Sequence, residues 1–277
     1  MRFLIVGELG DVSATGVCSS LQQRHSHDSV RFLTSRSLGE AQWLSHRLSD
    51  DGVYSRVHTR EGWDIKSDEL GVVFNRLHFV DLRRFGQGAP ADHEYANMEM
   101  FALLLSWLES LPCPVINAAC PAGLSGACYR PFAIQRMAAE AGLPTLRFAS
   151  TTSLRRFPPP PKTRPCQIGF LSEGEQRNAG GIFIEQVGQS ATSVLVVGNR
   201  ILGELPSELH GPCLQLMKIS ALTIARIYFV ESVEDDGLWK FSGLDSRPHF
   251  ESEEERLVVV ELLEDLSETC HRRMSFT

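Results

Sequence analysis

Asn75 and Arg76 end an apolar run, Val72-Val73-Phe74, that reads as a parallel strand, and the carboxyl edge of such a sheet is where open α/β folds bind ligands. The Arg76 guanidinium can hold a carboxylate or a phosphate through paired hydrogen bonds. It can equally order its own loop by pairing with Asp81 or Asp92. Asn117 ends the next run, Pro114 to Asn117, and its amide is expected to bond its own turn. Gly7-Glu8-Leu9-Gly10 lacks the spacing of a dinucleotide turn and reads as a plain turn, which argues against a Rossmann-type oxidoreductase. His25 and His27 are too close to share a helical face, so no zinc site is expected. Cys120 and Cys128 flank a loop without a basic neighbour and read as free thiols, not nucleophiles.

These residues need a sheet behind them. Phe3 to Val6, Val30 to Leu33, Gly52 to His58, Val72 to Phe74 and Pro114 to Asn117 read as strands. Leu38 to Leu48 and Tyr95 to Leu108 carry apolar residues at three- and four-residue spacings and read as helices, so the first part is α/β with a parallel sheet. A Pro- and Gly-bearing loop, Ala118 to Gly126, leads to a helix over Pro131 to Ala141, closed by Gly142. Pro158 to Pro161 marks a linker. Beyond it Gln167 to Leu171, Gly181 to Val187, the pair Ser193 to Val197 and Arg200 to Leu202 around Gly198-Asn199, Ala225 to Val230 and Leu238 to Leu244 read as strands. Helices over Leu209 to Thr223 and Ser252 to Ser267 complete an α+β part, and Glu251 to Glu255 read as a solvated helix start.

A chain of 277 residues with 43% hydrophobic and 22% charged residues folds as one or two domains. A net charge of -7 without a clustered basic face argues against nucleic acid as a partner. No apolar stretch reaches the ~18 residues of a membrane span. Seven cysteines without a CxxC pair fit reduced thiols and a cytoplasmic location.

Val72 to Arg76, then Asp92-His93-Glu94-Tyr95 at a helix start, then Pro114 to Asn117, resemble the pre-ATP-grasp domain of glutathione-synthetase-like and RimK-like ligases. Tyr129 to Gln135 with Ala141 to Thr145 is similar to the helix before their central domain. Ile182 to Gly188 and Val194 to Arg200 resemble the hinge strand and hairpin of the ATP-grasp superfamily. The resemblance implies an N-terminal parallel-sheet pre-ATP-grasp domain (1–117), a connector helix and linker (118–157) and a truncated α+β ATP-grasp-like nucleotide domain (158–277).

It further implies ATP and Mg²⁺ as cofactors. Arg130 stands roughly where the family has a phosphate-binding lysine, and Glu185, Gln186 and Val187 match the adenine-contacting hinge. Asp245 matches one member of the family's magnesium-binding Glu-x-Asn pair, Gly243 replaces the other, and Glu231 is the candidate second ligand. The implied reaction is activation of a small-molecule or peptide carboxylate as an acyl phosphate for attack by an amine or thiol, with Arg130 neutralising charge and Arg76 orienting substrate. The alternative is a degenerate, non-catalytic binding partner or scaffold in a peptide or natural-product pathway, to which the short lid and Gly243 point. An open face on a shortened second domain would drive homodimerisation.

Overall fold

The computed structural model describes residues 2–50, 52–80, 82, 88–126, 129–151, 163–166, 181–185, 187–232 and 237–274. The linker prolines, the run Gln167 to Leu171 and Gln186 lie outside the described residues.

Strands β1 (Phe3–Gly7), β2 (Val30–Thr34), β6 (Val72–Asn75) and β7 (Val115–Ile116) form a parallel sheet in the order β2-β1-β6-β7. All five residues of β1 are buried because both faces of the sheet are covered. Phe3 and Ile5 pack with α1 (Val12–Arg24) and α6 (Glu253–Met274), while Leu4 and Val6 pack on the other face with α3 (Pro90–Glu109). Leu104, Trp107 and Leu108 anchor α3 there, at about 2 kcal/mol each.

Between Leu38 and Leu48 the structure departs from the expected helix. Only α2 (Ser35–Gly39) is helical. β3 (Trp43–Ser49) instead pairs antiparallel with β4 (Gly52–His58), which pairs with β5 (Asp64–Lys66). Leu38, Ala41, Leu44 and Leu48 mimic a helical stripe, but the pairing Ser49↔Gly52 closes a tight turn in which Gly52 adopts φ +123. β4 thus belongs to this small sheet and not to the parallel one.

The C-terminal sheet has the order β12-β11-β13-β14, antiparallel throughout: β11 (Val187–Val197), β12 (Arg200–Leu202), β13 (Ile224–Ser232) and β14 (Trp239–Asp245). Gly198, at φ +58, makes the expected turn between β11 and β12. Ala225, Ile227 and Phe229 face α4 (Pro131–Glu140) and α5 (His210–Ile219), whereas Ile224, Leu195 and Val197 pack under α6 with residues of the parallel sheet. Both faces of this sheet are therefore covered over those residues. A further antiparallel sheet has the order β8-β10-β9: β8 (Phe148–Thr151), β9 (Thr163–Cys166) and β10 (Gly181–Glu185). β8 lies in the stretch expected to be only connector.

Candidate functional site

The carboxyl ends of β6 and β7 meet the end of β14, and buried polar side chains fix the junction. Arg76 is 6% exposed. Its Nε donates to Asp11 Oδ2 at 2.7 Å, Nη1 to the Pro248 carbonyl at 3.0 Å and Nη2 to the Arg247 carbonyl at 3.3 Å, and the guanidinium lies over Phe74 and Phe250. The pairing partner is thus Asp11 and not Asp92; Asp81 is outside the described residues. Asp11 also caps α1 by accepting from the Ala14 amide, so a carboxylate already fills the helix N-terminus after the Gly7–Gly10 turn. Asn117 Nδ2 donates to the Ile224 and Ser246 carbonyls, both at 2.8 Å, and its Oδ1 accepts from the Thr223 and Ile224 amides. Every hydrogen-bonding capacity of that amide is used across the junction.

Beside the junction opens a cleft of 330 Å³, bounded by the loop 121–126, Tyr129 and Ile134 around the start of α4, and Leu244 to Arg247 at the end of β14 and just beyond it. His78 and Arg247 line it, and neither forms an ion pair among the described residues. Ser125 also lines it, only 5% exposed and with no side-chain hydrogen bond among the described residues. Asp245 lines the same cleft, so cationic, anionic and hydroxyl-bearing residues meet around it; a guanidinium and an imidazole there could pair with a carboxylate.

The expected nucleotide residues are distributed otherwise. Glu185, at the end of β10, is 1% exposed, and Lys240 on β14 is 6% exposed. Lys240 Nζ donates to Glu185 Oε1 at 2.8 Å, and the Arg147 amide donates to Oε2 at 2.9 Å. Burial pushes the Glu185 carboxyl up, but the bonds from Lys240 and Arg147 outweigh it and hold the group below the usual glutamate value. Lys240 was not foreseen; the available signal was a lysine between Trp239 and Phe241 in a strand. Val187 opens β11 opposite Ser232. Arg130 is the N-cap residue of α4, exposed and making no side-chain cap bond, one turn before the cleft-lining Ile134.

Asp245 and Glu231 do not converge. Asp245 pairs with Arg226 and Glu231 with Trp239, five residues further along β13, a separation of about 17 Å. Oxygens sharing one Mg²⁺ each lie ~2 Å from it, so this pair cannot hold a single ion. Two rungs from Asp245, on the same face of the sheet, Tyr228 stands opposite Gly243, above which a side chain would meet open space. Burial, and then the Asp245 carboxylate, push the Tyr228 phenol above its usual value, so it is neutral near pH 7 and offers no negative charge to a cation. Asp245 Oδ1 accepts from the Arg247 amide at 2.8 Å. Arg226, 4% exposed, donates to both oxygens of Glu255 at 2.8 Å, a second ion pair on this sheet. Among the described residues no three His, Cys, Asp or Glu side chains cluster as a metal site. Among the described residues, Asp245 and Glu231 therefore do not form a two-carboxylate magnesium site.

No family model and no curated protein matches the sequence. Solved structures do match. The macrocyclase MdnC from Microcystis aeruginosa MRC, bound with precursor peptide MdnA, superposes with a TM-score of 0.71 at 13% identity, over 96% of this chain and 100% of that one. The Chryseobacterium gregarium RiPP-associated ATP-grasp ligase, in complex with ADP and a leader and core peptide, gives 0.65 at 14% identity, over 95% and 96%. The ATP-grasp ligase PsnB, complexed with minimal precursor, Mg and ADP, gives 0.64 at 17% identity, over 96% and 98%. The fold is that of the ATP-grasp superfamily. The match to MdnC extends over the whole length of that chain. Among the described residues no helix is long and apolar enough to cross a membrane.

Proposed function

We propose that this protein binds a peptide through a carboxylate on the ATP-grasp fold and does not turn over Mg-ATP. One observation carries the reading: the β13–β14 ribbon presents Tyr228 opposite Gly243 on the face of Asp245, with Glu231 at the far end, so that among the described residues charge on a nucleotide's phosphates meets no converging pair of carboxylates. The paired state of Glu185 adds to it, since a carboxylate engaged by Lys240 and the Arg147 amide has both oxygens occupied. The peptide class is supported by the three fold relatives, each solved with a peptide or precursor. The cleft at His78, Ser125 and Arg247 is the receptor, and Arg76 and Asn117 hold its walls in place. Such a protein serves as a binding partner or scaffold in a peptide pathway. Cys18, Cys113, Cys120, Cys213 and Cys270 form no disulfide, which suits the cytoplasm.

The second reading, an active ligase making amides or thioesters from an acyl phosphate, draws on exposed Arg130 and on relatives solved with ADP. Two assays separate the readings. ADP release from Mg-ATP, with and without acidic peptides, should stay at the buffer rate; peptide-stimulated release selects the ligase. Anisotropy of labelled acidic peptides should show binding that weakens about tenfold in Arg247→Ala, the loss of roughly one charge-assisted contact. Equal affinity in wild type and variant removes the cleft from the account.

A further inference from the structure

The cleft does not end at His78 and Ser125. Phe101 of α3 forms part of its wall and also lines an open hollow of 610 Å³ that runs back along the same helix to Pro90. The anchoring of α3 leaves that hollow free. The buried residues of the helix, Leu104, Trp107 and Leu108, all lie in its last six positions, and from Pro90 to Leu103 every residue is half-buried or exposed. Pro90, Glu94, Asn97, Met98 and Phe101 recur at three- and four-residue spacings and share one face, a stripe of about 16 Å at ~1.5 Å per residue. Its cleft end is apolar, with Phe101 half-buried against the N-terminal core and Met98 64% exposed. Its far end is polar. Asn97 Nδ2 donates to His93 Nδ1 at 3.3 Å, and Glu94 forms no ion pair among the described residues. An exposed methionine alone is ordinary, but this one stands on a hollow that is continuous with the cleft.

We propose that the Met98–Phe101 face is a subsite for an apolar side chain of the peptide whose carboxylate enters the cleft. The inference rests on the peptide-binding reading above and adds what the peptide must carry beside its acid. In an extended peptide, residues two apart point to the same side and stand ~6.6 Å from one another. One therefore enters the cleft toward Arg247 and His78 while the other crosses Phe101 onto Met98. Methionine suits the role because its unbranched thioether adapts to the shape laid on it. Glu94, ~10 Å beyond Phe101 along the helix, opposes a second acid there. The preferred ligand is thus an acidic residue with apolar neighbours two positions away, and not a polyacidic run.

Anisotropy of two labelled peptides with blocked ends, Leu-Ser-Glu-Ser-Leu and Ala-Ser-Glu-Ser-Ala, tests this; leucine on both sides makes the result independent of chain direction. Wild type should bind the leucine peptide about tenfold more tightly, the effect of half-covering three extra carbon atoms. Met98→Ser should abolish the preference while the alanine peptide's affinity and the circular dichroism spectrum stay unchanged, because the side chain is mostly in solvent. Met98→Leu should keep the preference. Arg247→Ala should weaken both peptides and leave their ratio in place, which separates the subsite from the cleft. Equal binding of the two peptides by wild type, or a preference that survives in Met98→Ser, overturns the subsite and leaves the cleft standing. Binding of neither peptide overturns both. A preference that is lost as protein concentration rises would put a second copy on this face and overturns the proposal as well.

Discussion

Asn117 joins three segments through one amide: the end of β7, the start of β13 and the loop after β14. Replacing it with alanine leaves the Thr223 and Ile224 amides and two carbonyls without their partner. Asn117→Ala should therefore lose about 3 kcal/mol of stability by urea unfolding, since each buried orphan costs roughly 1–3 kcal/mol. A loss below about 1 kcal/mol would mean that water replaces the amide and that the junction is not built on it. Arg76 belongs to the same junction. Its sequence position at a strand end was legible as important, but its partner lies 65 residues away at Asp11 and its other acceptors are backbone carbonyls of Arg247 and Pro248. Nothing local in the sequence encodes those contacts.

At the scale of elements, the buried pair of Glu185 and Lys240 fastens β10 to β14, and with them the β8-β10-β9 sheet to the C-terminal one. Lys240→Met strands a buried carboxylate and should cost ~3–5 kcal/mol, while adding Glu185→Gln should recover most of the loss, because a matched neutral pair avoids the orphaned charge. A double variant as unstable as the single one would show that the pair is not the cause. The acid side follows from the same contact. The folded-state carboxyl of Glu185 lies below its unfolded value, so its contribution is complete above the unfolded value and is lost as pH falls through the folded one. The acid-induced loss of stability should therefore be shallower in the double variant than in wild type, read from urea midpoints across the carboxylate range. Strands with strong local signals were readable: Phe3–Gly7 from its unbroken apolar run and β11–β12 from Gly198-Asn199. β3 was not, because Leu38, Ala41, Leu44 and Leu48 satisfy a helical spacing and the tertiary pairing with β4 overrides it.

For the whole molecule, α6 is the element that makes two sheets into one body. Val259, Val260 and Leu263 share a core with Phe3, Ile5 and Phe74 of the parallel sheet and with Leu195 and Val197 of the C-terminal sheet. Boundaries drawn along the sequence at 117 and 157 cannot register this return of the last helix to the first strand. The overall architecture was nevertheless legible, because the order of strands, connector helix and hairpin is a property of the chain in sequence. Of the residues behind the proposed loss of the nucleotide site, Gly243 was legible in the sequence. That Tyr228 is its neighbour, that Glu231 lies five residues beyond Arg226 and that Lys240 takes Glu185 are consequences of strand register. The central claim is that this ATP-grasp fold has no working Mg-nucleotide site. Calorimetric titration of the purified protein with a non-hydrolysable ATP analogue, with and without Mg²⁺, tests it most directly. The account predicts no binding heat up to about 1 mM analogue in either condition, whereas magnesium-dependent binding with a Kd in the ~1–10 μM range would contradict it.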